Sequence, residues 1–196
     1  MGEHGQRPAI FGRLSDGLAR VIRTIGHGTR PIEGLIGLLC AHDVTQLVDV
    51  RTIPRSRRNP HFGREALTAS LTAARIAYVH MSGLGGLRKP RAGSVNLGWR
   101  NAAFRGYADY METSEFARSL EALVELARRQ PTAIMCAESV PWRCHRSLIA
   151  DALMARGIVV EHILTAQRAE PHVLTAFALV EVTRVTYPAP AGREVR

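Results

Sequence analysis

The chain has 196 residues, 46% of them apolar, and a formal net charge of +9. That length suits one substantial domain, and the apolar content excludes a disordered chain. All but one of the 26 basic residues are arginine, Lys89 being the exception. The excess charge favours an anionic partner such as a nucleotide, a nucleic acid or a phosphorylated metabolite, although a solvated basic surface would have the same composition.

Three cysteines without framework spacing argue against a secreted disulfide scaffold and for a reducing, cytoplasmic setting. No apolar run reaches the roughly 18 residues of a membrane span, so no membrane partner is expected. The N-terminus also lacks the uninterrupted apolar core of a signal peptide. Composition does not bear on oligomeric state.

In chain order, residues 1–20 form an N-terminal extension. Ile10, Phe11, Leu14 and Leu18, continuing into Val21 and Ile22, fall near helical spacing and predict an amphipathic lead-in. Val21 to Ile25 reads as a strand, ended by Gly26-His27-Gly28-Thr29. Pro31 sits where a first helical turn tolerates proline, and Ile32 to Leu39 make a helix face ending near His42. Cys40 reads as plain core on that helix. Gln46 to Val50 is a second strand, followed by the basic loop Pro54 to Pro60. Glu65 to Arg75 predicts a helix and Ile76 to His80 a third strand.

Ser82 to Gly98 is Gly-rich and long, which marks a functional or mobile segment. Asn101 to Met111 predicts a helix, and Thr113 opens another that runs to Gln130 with its charges suited to the helix dipole. Thr132 to Cys136 is a fourth strand and Cys144 to Arg156 a helix. Ile158 to Ile163 is a fifth strand after a Gly157 cap. Val180 to Val185 reads as an edge strand, and 189–196 as a frayed tail. The alternation predicts a single three-layer α/β domain over 21–188. It would be Rossmann-like, with a mostly parallel sheet of about five strands covered by helices on both faces.

In such sheets ligands bind beyond the carboxyl ends of the strands. Three strand ends carry unusual residues: the His27, Gly28 and Thr29 turn, Asp49-Val50-Arg51, and Cys136 to Arg146. The turn could offer backbone N–H groups to an anion, but it is not a dinucleotide fingerprint. Asp49 and Arg51 share one side of a strand and could pair with each other, orient His27 or hold a ligand. Arg55 and Arg57 lie in a loop suited to phosphate contacts, and an exposed basic loop is the plainer reading.

Cys136 and Cys144 admit several chemistries. Cys144 near a helix N-terminus and arginines would gain thiolate character. Cys136 to Arg143 is one residue longer than the C-x5-R anion loop of tyrosine phosphatases and many rhodaneses. The spacing matches no common structural zinc pattern, so no metal set is assigned, and no cofactor follows from the sequence. A buried cysteine filling a core gap is the plain alternative. Asp49, Glu138 and His145 are acid–base candidates. Arg143 and Arg146 could bind phosphate, while Trp142 and Tyr107 could stack a base. Tyr110 reads as core.

These stretches together resemble the family termed domain of unknown function 488. The matching segments are Thr24 to Thr29, Leu47 to Arg51 with Pro54 to Arg57, Leu84 to Gly86, Phe104 to Met111, and Met135 to Glu138 with Pro141 to Arg146. His162 to Leu164 and Thr186 to Pro188 also fit, so the resemblance runs from about residue 20 to 188. The family often has serine at the position of Gly28. The resemblance implies a compact α/β domain with a shared polar site and brings no reaction. The leading expectation is an enzyme or binding protein acting on a nucleotide, nucleic acid or phosphorylated ligand. A non-catalytic nucleic-acid-binding module and a metal-binding or thiol-redox protein are the alternatives.

Overall fold

The computed structural model describes residues 21–189. The expected N-terminal extension and residues 190–196 of the tail lie outside them. The elements in order are β1 (Ile22–Gly26), α1 (Ile32–Ala41), β2 (Gln46–Asp49), α2 (Arg64–Ala73), β3 (Ala77–His80), α3 (Ala102–Met111) and α4 (Ser114–Arg129). They continue with β4 (Thr132–Cys136), α5 (Arg146–Met154), β5 (Val160–Ile163), β6 (Ala169–Pro171), β7 (Leu179–Glu181) and β8 (Arg184–Thr186).

The main sheet has six strands in the order β3-β2-β4-β1-β5-β6, parallel except for β6. β7 and β8 form a separate antiparallel hairpin. This corrects the expected single edge strand over Val180 to Val185, because Val182 takes a positive φ of 60° and turns the chain.

Local signals explain where the helices begin and end. Asn101 and Thr113 cap α3 and α4 by accepting from the N–H groups of Ala103 and Phe116. Phe116, Leu120, Leu123 and Ala127 form the buried stripe of α4. Gly157, with φ 73°, ends the turn after α5. Cys40 is exposed, not core, because α1 buries the face of Leu35 and Leu39 instead.

The helices divide between the two faces of the sheet. Leu35, Leu39, Leu67 and Leu71 of α1 and α2 pack with Ile25, Leu47, Ala133 and Met135. Residues of α3, α4 and α5 pack on the opposite face with Val48, Val50 and Ile134. The crossovers through α1 and α2 run one way along the sheet, and those through α3 to α5 run the other way. With right-handed crossovers, opposite directions require opposite faces. The chain leaving β4 therefore departs to the opposite face from the chains leaving its neighbours β1 and β2. That parting opens a crevice at their carboxyl ends.

The Gly-rich segment is tethered across α3. Asp109 accepts from the Ser94 hydroxyl (2.6 Å), the Asn96 amide (2.8 Å) and the Arg91 N–H (3.0 Å). Burial alone would raise the Asp109 pKa; these hydrogen bonds outweigh it and hold the carboxyl below its usual value. Tyr110 is buried, as expected. No helix among the described residues is long and apolar enough to cross a membrane.

Candidate functional site

The crevice brings the three strand ends together. Gly26 makes this contact possible: a Cβ there would lie 1.9 Å from the Glu138 carbonyl oxygen. Beyond it, the N–H groups of His27 and Gly28 donate to the carbonyls of Cys136 and Ala137 (3.0 and 2.9 Å). Those two amides, expected as anion donors, are therefore committed to extending the sheet. Thr29 is exposed at the edge of the crevice.

Asp49 is fully buried and accepts from Arg51 Nε and Nη2 and from the Tyr78 hydroxyl (2.9, 2.6 and 2.9 Å). Arg51 also donates to the Phe62 carbonyl at 2.9 Å and approaches His27 Nε2 at 3.4 Å. His27 stacks on the Phe62 ring with centroids 4.1 Å apart. Burial lowers the His27 pKa to about 4 against a supporting hydrogen bond to the Gly28 carbonyl. Asp49, Arg51 and His27 thus form one buried, internally satisfied group that fixes the β2 exit.

The Cys136 segment contributes a compact cluster. A 3-10 turn over Pro141–Arg143 folds the chain back so that Cys144 and His145 return beneath the end of β4. His145 Nδ1 lies 3.9 Å from Cys136 Sγ and 3.6 Å from Cys144 Sγ. Its Nε2 lies 3.3 Å from the Val50 carbonyl oxygen, which places the ring proton there and leaves Nδ1 facing the sulfurs. Gly86 packs against the imidazole so closely that a Cβ would sit 2.5 Å from Nδ1. Tyr107 is wholly buried 5.0 Å from the same ring and donates to the Leu84 carbonyl, so it offers no stacking surface.

The hydrogen bond from Cys136 lowers the Cys144 pKa well below its usual value, and the positive charge of Arg146 works in the same direction. The same bond, followed by burial, raises that of Cys136. Arg146 is 1% exposed and forms no ion pair with a carboxylate among the described residues. It donates to Cys144 Sγ (3.4 Å), Thr24 Oγ1 (3.2 Å) and the Glu138 carbonyl. Its position beneath the sulfurs takes it out of reach of a ligand in the crevice.

Behind Arg146 runs a buried chain that the sequence reading missed. Thr24 Oγ1 lies 2.7 Å from His162 Nδ1, His162 Nε2 lies 2.9 Å from His172 Nδ1, and His172 Nε2 lies 2.8 Å from Asp151 Oδ1. Asp151 also accepts from Thr175 and Tyr187 hydroxyls (2.7 and 2.8 Å). One donor sense satisfies every atom: Arg146 donates to Thr24, Thr24 to His162, His162 to His172, and His172 to Asp151. The cation at one end and the carboxylate at the other are thereby linked without touching. The available signal was Asp151, a carboxylate in the apolar run Leu148 to Leu153.

Above the cluster lies a cavity of about 380 Å³. Cys136, Cys144 and His145 share its lining with Arg55, Arg143, Glu138, Leu87 and Phe104. Arg55 and Arg143 are exposed and belong to no ion pair among the described residues. Glu138 Oε1 accepts from the Val140 N–H at 3.0 Å. A neighbouring cavity, also about 380 Å³, shares Glu138 and adds His27, Thr29, Arg57 and Arg58. A third, of about 800 Å³, shares Arg55 and lies over Arg64 and His80. Trp142 is 68% exposed and does not line the cavity over the cluster.

No curated protein and no solved structure matches the chain. A family model described as Domain of unknown function DUF488 matches residues 31–153, more than half of the sequence, and the chain belongs to that family.

Proposed function

We propose that the protein acts as an enzyme on a nucleotide, a nucleic acid or another phosphorylated ligand bound in the crevice at the ends of β1, β2 and β4. One observation carries this reading: a single cavity has two uncommitted arginines, Arg55 and Arg143, on its walls and a sulfur–imidazole cluster on its floor. Arginine forks suit phosphate oxygens, and the apolar Leu87 and Phe104 suit a base or another flat group. Glu138, held by a backbone N–H on the wall, is the carboxylate within reach of such a ligand. Arg57 and Arg58 in the adjoining cavity extend the basic lining, which fits a ligand longer than one nucleotide. Asp49, Arg51, His27 and Arg146 act as positioning groups.

Binding of a labelled mononucleotide and a labelled single-stranded oligonucleotide to wild type and to Arg55→Ala and Arg143→Ala tests the reading. Each charged hydrogen bond lost should weaken binding by about ten- to a hundredfold, with no loss of fold, since both side chains are exposed. Unchanged affinity in both variants would overturn it. Wild-type protein that binds these ligands and turns none of them over would favour the non-catalytic binding module.

A further inference from the structure

We propose that Cys136, Cys144 and His145 bind one zinc-class divalent ion, with a fourth coordination position open to the cavity. The cluster is the one group of three or more metal-capable side chains found among the described residues, and all its ligand atoms lie within 4.8 Å of one another. A tetrahedral ion with Zn–S near 2.3 Å and Zn–N near 2.05 Å sets sulfur and nitrogen about 3.5 Å apart. The observed separations of 3.6 and 3.9 Å approach that arrangement. Two thiolates and an imidazole are also the donor set that selects zinc over magnesium or calcium.

The surroundings supply what such a centre needs. The proton on His145 Nε2 is held by the Val50 carbonyl, which directs Nδ1 at the sulfurs. Arg146 Nε donates to Cys144 Sγ, an outer hydrogen bond to a ligating thiolate. The absence of a side chain at Gly86 leaves room beside Nδ1. Three protein ligands on a cavity floor, rather than four in a closed site, describe a centre that can bind a water or a ligand oxygen.

The proposal deepens the reading above, because the ion would face the same cavity. The two fail separately: anion affinity rests on Arg55 and Arg143, and metal affinity on the three ligands.

The test is to measure zinc in full-length untagged protein purified without chelators, then to titrate chelator-treated protein with Co²⁺. The expected result is one ion per chain, with visible bands of tetrahedral cobalt and a near-ultraviolet thiolate-to-cobalt band. That band should weaken in Cys136→Ser and be unchanged in Cys40→Ser. A measurement on wild type avoids dependence on variant folding. With zinc present only the exposed Cys40 should react rapidly with a thiol reagent, and chelator should release Cys136 and Cys144 to it. A folded protein that takes up no ion, or that binds cobalt equally in Cys136→Ser, would overturn the proposal.

Discussion

At the residue scale, the unusual investment of the chain is buried polarity. Arg146, Asp151, His162 and His172 all lie inside, and each is satisfied only because the others are in place. Burial, with the positive charge of Arg146, lowers the His162 pKa to about 4 from the ordinary 6.5, against the pull of Asp151. A histidine held below its ordinary value takes up a proton in the unfolded chain before it does so in the folded one. Its contribution to stability is therefore complete above about pH 6.5 and is lost as the pH falls towards 4. The loss is on the order of 3 kcal/mol over that window, at about 1.4 kcal/mol per unit. Urea midpoints measured from pH 7 to pH 4 should fall more steeply for wild type than for His162→Gln. Parallel curves would show that His162 is not held neutral by this network.

At the element scale, the site depends on how closely the end of β4 approaches the end of β1. The Cβ of an alanine at position 26 would collide with the Glu138 carbonyl at 1.9 Å and with Ser139 Cα at 2.5 Å. Both obstacles are backbone, so neither can rotate away. Gly26→Ala should destabilise the fold by on the order of 2–3 kcal/mol and push the segment that carries Cys136 and Glu138 outward. An unchanged urea midpoint would contradict this account of the approach.

Elements of this kind were legible in the sequence where the signals are local. The helix starts at Asn101 and Thr113, the stop at Gly157 and the alternation of strands with helices read correctly, because each depends on a few neighbouring residues. The strand ends that converge were also identifiable, since sheet topology places them at one edge. What did not read was side-chain commitment. Tyr107 and Arg146 look like ligand groups in sequence, and their partners Leu84 and Thr24 are far away along the chain, whereas the pairing of Arg51 with Asp49, two residues away, was among the readings the sequence offered. Cys40 sits in an apolar helix but one step off its buried stripe, and helical periodicity blurs at that margin.

At the scale of the whole molecule, the opposing directions of the crossovers place the candidate site where the loop after β4 parts from those after β1 and β2. The DUF488 match, residues 31–153, spans β2, β4 and the segment carrying Cys136, Cys144 and His145. It includes both ends of the buried chain, Arg146 and Asp151, and leaves out the links between them, Thr24, His162 and His172. On the proposed reading, the net charge of +9 would draw anions at long range and the uncommitted arginines beside the cluster would receive them.

The central claim is that an anionic ligand and the sulfur cluster occupy one cavity. Alkylation of chelator-treated protein, followed residue by residue by mass spectrometry with and without bound oligonucleotide, tests it most directly. The account predicts that the ligand slows modification of the cavity cysteines Cys136 and Cys144 several-fold and leaves the exposed Cys40 unaffected. Saturating ligand that binds without protecting Cys136 or Cys144, or that protects Cys40 equally, would contradict it.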